Sequence, residues 1–190
     1  QTSYDEKDKR TGQLIAQHKI SKPIEVLHEG VELEKWQLPK KVDKFLEDLE
    51  TDFNYLVVGH WLQGDIGQDR KDIGMTIKTF CTVFKDIPKK DQPGLILKTS
   101  TAGFSVMDRE NISKKIRDIT KEFGDKCPSI YLLFGDLSEN ELANLYHHPK
   151  VKTMLSFTKG EGYGRPLCEF TLTGKPIIVS KWSGHTDFLP

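Results

Sequence analysis

Tyr55-Leu56-Val57-Val58-Gly59 is a continuous apolar run closed by glycine, the pattern of a strand covered on both faces. The segments after this run decide the fold. A polar loop from His60 to Asp72 leads into Ile73, Ile77, Phe80, Cys81 and Phe84, spaced along one helical face. Gly94-Leu95-Ile96-Leu97-Lys98 is the next strand. A helix is predicted from Met107 or Asp108 to about Phe123, with Ile112, Ile116, Ile119 and Phe123 three or four apart. Ile130 to Phe134 is a strand ended by Gly135-Asp136. Ser138-Glu139-Asn140-Glu141 then supplies an N-cap and an acidic first turn. Strands at Val151–Phe157 and Ile177–Val179 flank a helix at Pro166–Thr173, which Pro166 opens and Gly174 stops. Strand and helix alternate with short connections, so the sequence predicts an α/β fold, a Rossmann-like doubly wound parallel sheet flanked by helices.

The N-terminal end is less patterned. Residues 1–22 are polar and every position from Asp5 to Arg10 is charged, which predicts a lead-in with a helix near Asp8–His18. Pro23 introduces a short strand, Ile24-Glu25-Val26-Leu27, running into His28-Glu29-Gly30. Val42, Phe45, Leu46 and Leu49 predict a helix over 40–51. The domain proper is therefore expected over 23–190, and the absence of an initiator Met suggests a fragment, truncated at both ends.

Composition removes several classes of function. The 190 residues carry 28 Lys+Arg and 28 Asp+Glu, so no net field attracts a polyanion, and nucleic acid is not an expected partner. No apolar run reaches the roughly 18–20 residues of a membrane span. Cys81, Cys127 and Cys168 are widely spaced with no C-x-x-C pair, which argues against a disulfide framework or zinc ribbon. With no signal-peptide pattern, the expected location is the cytoplasm.

The chemistry concentrates in Ser156–Glu169, SFTKGEGYGRPLCE, between a buried strand and a helix. Gly160, Gly162 and Gly164 let backbone approach a ligand closely, and amides at a Pro166-started helix suit an anion such as phosphate. Glu161 and Glu169 flank this loop. A dinucleotide G-x-G-x-x-G fails in both registers, because Arg165 and Leu167 stand where the third glycine belongs. No G-x-x-x-x-G-K-[ST] occurs. His147-His148 before Pro149 fit a helix end better than a metal site. Trp61 and Trp182 suit either stacking on a base or sugar or core packing, and His185 near Asp187 lacks a visible third partner.

Glu161-Gly162-Tyr163-Gly164-Arg165-Pro166-Leu167-Cys168-Glu169 resembles the E-x7-E signature of family 4 glycosyltransferases. Thr173-Gly174-Lys175-Pro176-Ile177-Ile178 and Trp182-Ser183-Gly184-His185 resemble the family's flanking segments. Gly59 with Arg70-Lys71-Asp72-Ile73-Gly74 resembles its donor-phosphate region, and Glu29-Gly30-Val31 its N-G-V/I-D turn. The resemblance implies the C-terminal, donor-binding domain of a GT-B enzyme that transfers a sugar from a nucleotide-diphosphate donor with retention. Carried across, Glu161 would contact the transferred sugar and Glu169 the ribose hydroxyls. Backbone around Gly162, Tyr163, Gly164, Arg165, Pro166 and Leu167 would hold sugar and phosphate. Lys71 would neutralise the departing diphosphate, and Gly135 and Leu137 would border the base. The family's first phosphate arginine is His60 here, so either protonated His60 or Arg70 takes that part; a guanidinium suits diphosphate at any physiological pH.

No D-x-D triplet occurs, so no metal and no other cofactor is expected. The acceptor (glycan, lipid or protein) would be held by an N-terminal acceptor domain absent from these residues. Without it the isolated chain is expected to be inactive, and any approach to a membrane surface would be made through it. The alternatives are a nucleotide-sugar-binding module and a GT-B epimerase.

Overall fold

A computed structural model of the chain describes residues 3–36, 46–62, 64 and 66–189. The chain divides into two compact units, Gln1–Gly30 and Val31–Pro190.

The first unit is an antiparallel hairpin of β1 (Ser3–Lys7) and β2 (Leu14–Lys19), where the sequence predicted a helix. Turn chemistry overrides the thin apolar stripe. Asp8 Oδ1 accepts from the Arg10 and Thr11 amides at 2.9 and 2.7 Å, and Gly12 takes φ 71°, which a helix would forbid. Tyr4 stacks on His18 across the pair at 4.7 Å. Ile24–Leu27 is not a strand. It has no ladder partner among the described residues, and Leu27 is 96% exposed.

The second unit holds β3 (Asn54–His60), α1 (Ile73–Phe84), β4 (Gly94–Ser100), α2 (Val106–Thr120), β5 (Ile130–Leu133), α3 (Glu139–His147), β6 (Val151–Ser156), α4 (Arg165–Thr171) and β7 (Ile177–Val179). The five strands form one sheet in the order β5-β4-β3-β6-β7, and every neighbouring pair is parallel. Of the expected helix over 40–51, residues 40–45 lie outside the described residues; Leu46–Asp48 form a turn whose Leu46 is buried. Among the described residues, no helix is long and apolar enough to cross a membrane.

Period-two alternation sorts the strand side chains into two layers. Leu56, Ile96 and Met154 face Leu145, Tyr146, Leu167 and Phe170 of α3 and α4. Val57, Leu95, Leu97 and Leu155 face Ile73, Ile77, Phe80, Ile112 and Ile119 of α1 and α2. Both faces are therefore covered, as continuous apolar strands require. α2 starts one or two residues earlier than expected because Ser105 caps it, its hydroxyl accepting from the Asp108 amide at 3.1 Å while Asp108 reaches back to the Ser105 amide. Ser138 and Glu141 form the same box at α3.

The order of strands in the sheet reverses between β3 and β6. The next strand after β3 lies on one side of it and β6 on the other, which leaves a crevice beyond their carboxyl ends. Asn54 pins the opposite ends of these two strands. It is fully buried, its amide nitrogen donating to the Thr51 and Lys150 carbonyls at 2.8 and 3.0 Å, its oxygen accepting from Thr51 Oγ1 at 2.5 Å. Asn54→Ala removes the side-chain bonds to Thr51 and Lys150, leaving the Lys150 carbonyl only the Asn54 backbone amide. It should cost about 1–3 kcal/mol, read as a lower denaturation midpoint with an unchanged m-value.

Candidate functional site

Two loops meet over the crevice, one after β3 and one after β6. The first, residues 61–72, is secured at its start by Trp61, whose amide donates to the Ser100 carbonyl at 2.8 Å and whose ring is buried against α1. At its end Asp69, also buried, accepts from the Ile73 amide at 3.0 Å and so caps α1 from within the loop. The loop then docks on its neighbour by backbone. The Lys159 amide and Thr158 hydroxyl both donate to the Arg70 carbonyl, at 2.8 and 3.2 Å, and Lys159 Nζ bonds the Gly67 carbonyl.

This docking brings Arg70 and Lys71 to Glu161. Lys71 Nζ lies 2.8 Å and Arg70 Nη1 3.0 Å from the same oxygen, Glu161 Oε2. Arg70 Nη1 also donates to the Gly160 carbonyl at 2.5 Å. Lys71 and Glu161 are almost covered, their side chains 12% and 11% exposed, whereas Arg70 is 59% exposed. Gly59 makes the approach possible: a Cβ there would stand 3.1 Å from Lys71 Cε, so the lysine stem lies across bare backbone. Burial alone would raise the Glu161 pKa, but the two cations outweigh it and hold the carboxyl below its ordinary value. The pairing therefore stabilises the fold above the ordinary carboxylate range and is lost as pH falls through the depressed value.

The backbone of Glu161 is clamped from the far side. Its amide donates to Ser183 Oγ at 2.8 Å, its carbonyl accepts from Ser183 Oγ at 2.8 Å and from the Gly184 amide at 3.0 Å. Ser183 holds φ 83° to do this. A Cβ on Gly184 would overlap the Gly162 carbonyl and come within 2.8 Å of the Glu161 carbonyl oxygen.

The cleft these groups border has a volume of about 330 Å³. Of the residues expected from the sequence it brings together His60, Arg70, Lys71, Leu137, Glu161 and Pro166. His60 Nδ1 lies 2.9 Å from Ser100 Oγ, so this side chain rests on the end of β4 while Arg70 and Lys71 take the carboxylate. Gly135, just after β5, accepts from Lys98 Nζ at 2.6 Å. Gly30 ends the first unit and is described with it alone. Gly162, Tyr163, Gly164 and Arg165 run from Glu161 into α4, with Gly164 at φ 95°. Leu167 and Cys168 do not offer free amides as the sequence suggested; both donate to the Gly164 carbonyl, at 2.9 and 3.0 Å, because the first turn of α4 closes on that residue.

Glu169 is buried, its side chain 4% exposed. Arg165 Nε lies 2.7 Å from Oε1 and the Tyr146 hydroxyl 3.5 Å from Oε2. Burial raises its pKa, and Arg165 and Tyr146 only partly offset this. Trp61 packs in the core, Trp182 is exposed, and buried His185 bonds the Ser180 carbonyl through Nε2 at 2.6 Å. Among the described residues no three His, Cys, Asp or Glu side chains group as a metal site.

Sequence reasoning missed Lys98, which lines the cleft together with Thr99, Ser100, Phe104 and Asp136. Lys98 sits inside a strand run, and only the end of β4 falling beside β3 places it there. Its half-buried ammonium is held below its ordinary pKa by burial, against the opposing pull of Asp136. The last residues of an expected strand were the one available signal, since ligands in such sheets collect at carboxyl ends.

No family model and no curated protein matches the chain. Solved structures do. The C-terminal domain of a glycosyl transferase group 1 family protein (LpcC) from Francisella tularensis superposes with a TM-score of 0.58 at 16% identity, over 80% of this chain and 71% of that one. This unit has the fold of one half of a GT-B glycosyltransferase. A trehalose-6-phosphate structure from E. coli bound with UDP-2-fluoro glucose gives 0.63 at 14% identity, over 84% of this chain and 38% of that one. Sucrose-phosphate synthase from Thermosynechococcus elongatus gives 0.54 at 20%, over 82% and 34%. The chain thus spans little more than a third of these two longer enzymes.

In this GT-B half, Gly184→Ala must push the Glu161–Gly162 backbone aside, at a cost of about 1–3 kcal/mol, visible as a lower melting temperature. Glu169 has a folded pKa above its unfolded one, so its ionised form opposes folding at neutral pH and the cost fades as pH falls through the raised value. Glu169→Gln should therefore melt higher than the parent at neutral pH, with the gain shrinking on acidification. A gain independent of pH would show that the carboxylate charge is not its source.

Proposed function

We propose that this chain is the donor-binding half of a retaining glycosyltransferase of family 4 type, taking a sugar from a nucleotide-diphosphate donor without a metal ion. The observation that carries this reading is the convergence of Arg70, Lys71 and Glu161 at the switch point of the sheet. Two cations there suit a diphosphate, and a carboxylate beside them suits sugar hydroxyls. The likeness to a structure bound with UDP-2-fluoro glucose supports the same ligand class.

In this reading Lys71 and Arg70 neutralise charge growing on the diphosphate as the glycosidic bond breaks, a service that fixed cations perform without reorganising. Glu161, fixed by Ser183 and Gly184, accepts from hydroxyls of the transferred sugar near its anomeric carbon. The backbone of Gly162, Tyr163, Gly164 and Arg165 packs on sugar and phosphate. Glu169 turns to the ribose once Arg165 releases it, and Gly135 and Leu137 border the base. The departing phosphate assists the attack of the acceptor hydroxyl on the same face, so retention needs no protein nucleophile. The acceptor would be held by a further, N-terminal domain, and turnover would require it. We place the reaction in the cytoplasm, in keeping with three cysteines that are all free thiols.

The experiment is a thermal-shift titration with UDP, GDP, ADP and their sugar conjugates, beside NAD, in the presence of a chelator. One nucleoside diphosphate and its sugar conjugate should raise the melting temperature, by about 2.7 kcal/mol of added stability at a hundredfold excess over Kd. Lys71→Met should abolish the shift. An equal response to NAD, or a shift that needs a divalent ion, would overturn the reading.

A further inference from the structure

We infer that Glu161 is a resident counter-anion of the donor site, and that its displacement from Lys71 and Arg70 makes the site discriminate a nucleotide sugar from the bare diphosphate. The inference rests on the proposed donor-site reading. Without a ligand, both cations converge on one oxygen of Glu161, at 2.8 and 3.0 Å. A phosphate oxygen drawn to the same two cations competes with that carboxylate oxygen for them and repels it at close range. The side chain, not the loop, is what yields. Three hydrogen bonds with Ser183 and Gly184 hold the Glu161 backbone, and Gly59 and the covered lysine stem hold Lys71 in place.

Displacement strands a nearly buried carboxylate beside phosphate, which is unfavourable unless new donors meet it. The hydroxyls of a transferred sugar supply those donors; inorganic pyrophosphate has none, and a nucleoside diphosphate carries its hydroxyls on the ribose, which the donor-site reading gives to Glu169. Glu161 should therefore weaken binding of the sugar-free diphosphate while leaving the intact donor well bound. After transfer, the same carboxylate returns to its cations and helps expel the diphosphate.

The test is calorimetric titration of the parent, Glu161→Gln and Lys71→Met with inorganic pyrophosphate, with the nucleoside diphosphate that stabilises the chain, and with its sugar conjugate. Glu161→Gln keeps the shape and removes the charge. It should bind pyrophosphate and the nucleoside diphosphate more tightly than the parent, by roughly tenfold or more, and bring the affinities for diphosphate and sugar conjugate closer together. Lys71→Met should weaken all three ligands. Parent binding with no tightening in Glu161→Gln would overturn the counter-anion alone. Failure of both proteins to bind any of the ligands would overturn the donor site and the inference with it. Circular dichroism checks that the variants fold, and Glu161→Ala replaces Glu161→Gln with the same expectation if the amide does not.

Discussion

A single carboxylate oxygen organises the working end of this molecule. Glu161 Oε2 receives both Lys71 and Arg70, residues some ninety positions away in sequence, and through them joins the loop after β3 to the loop after β6. The contact exists because those strands lie side by side in the sheet although several other elements separate them along the chain. Everything around it serves the same geometry. Asn54 secures the opposite ends of the strands, Asp69 caps α1 just before the cations, and Ser183 and Gly184 clamp the glutamate from behind. Gly59 contributes by having no side chain.

The arrangement carries electrostatic tension. Burying a carboxylate and an ammonium is costly in itself, and their mutual attraction offsets that cost only while both are present. Glu169 adds a second cost, because burial disfavours its ionised form. Sites that must bind charged ligands commonly accept such local costs, and the two-layer core of Leu, Ile, Val and aromatic side chains supplies the stability to bear them. In the proposed reading, a site built from cations, glycines and carboxylates on a parallel sheet holds a diphosphate still rather than attacking it.

Much of this was legible in the sequence, for local reasons. Apolar runs such as Tyr55–Gly59 and Leu95–Leu97 are covered on both faces, so nothing in them depends on distant context. Ser138 and Glu141 announce the start of α3 by themselves. The Glu161–Glu169 loop is likewise a local motif. What was not legible depends on contacts across the sheet. The direct ion pairs of Arg70 and Lys71 with Glu161 need the strand order, as does the presence of Lys98 in the cleft. The N-terminal hairpin was missed for a different reason: the spacing of Leu14 and Ile15 fits either period, and Asp8 and Gly12 decide by closing a turn. The pairing of Arg165 with Glu169 could have been read from their spacing of four on a helix.

The most direct measurement is an amide nitrogen–proton correlation spectrum of this chain, titrated with a nucleotide-diphosphate sugar and with the same nucleotide lacking its sugar. Both ligands should perturb Arg70, Lys71 and the Gly160–Gly164 amides, and the sugar conjugate should add shifts around Glu161 that the bare nucleotide does not cause. Perturbations clustered away from the β3–β6 crevice, or none with any nucleotide, would contradict a donor site there.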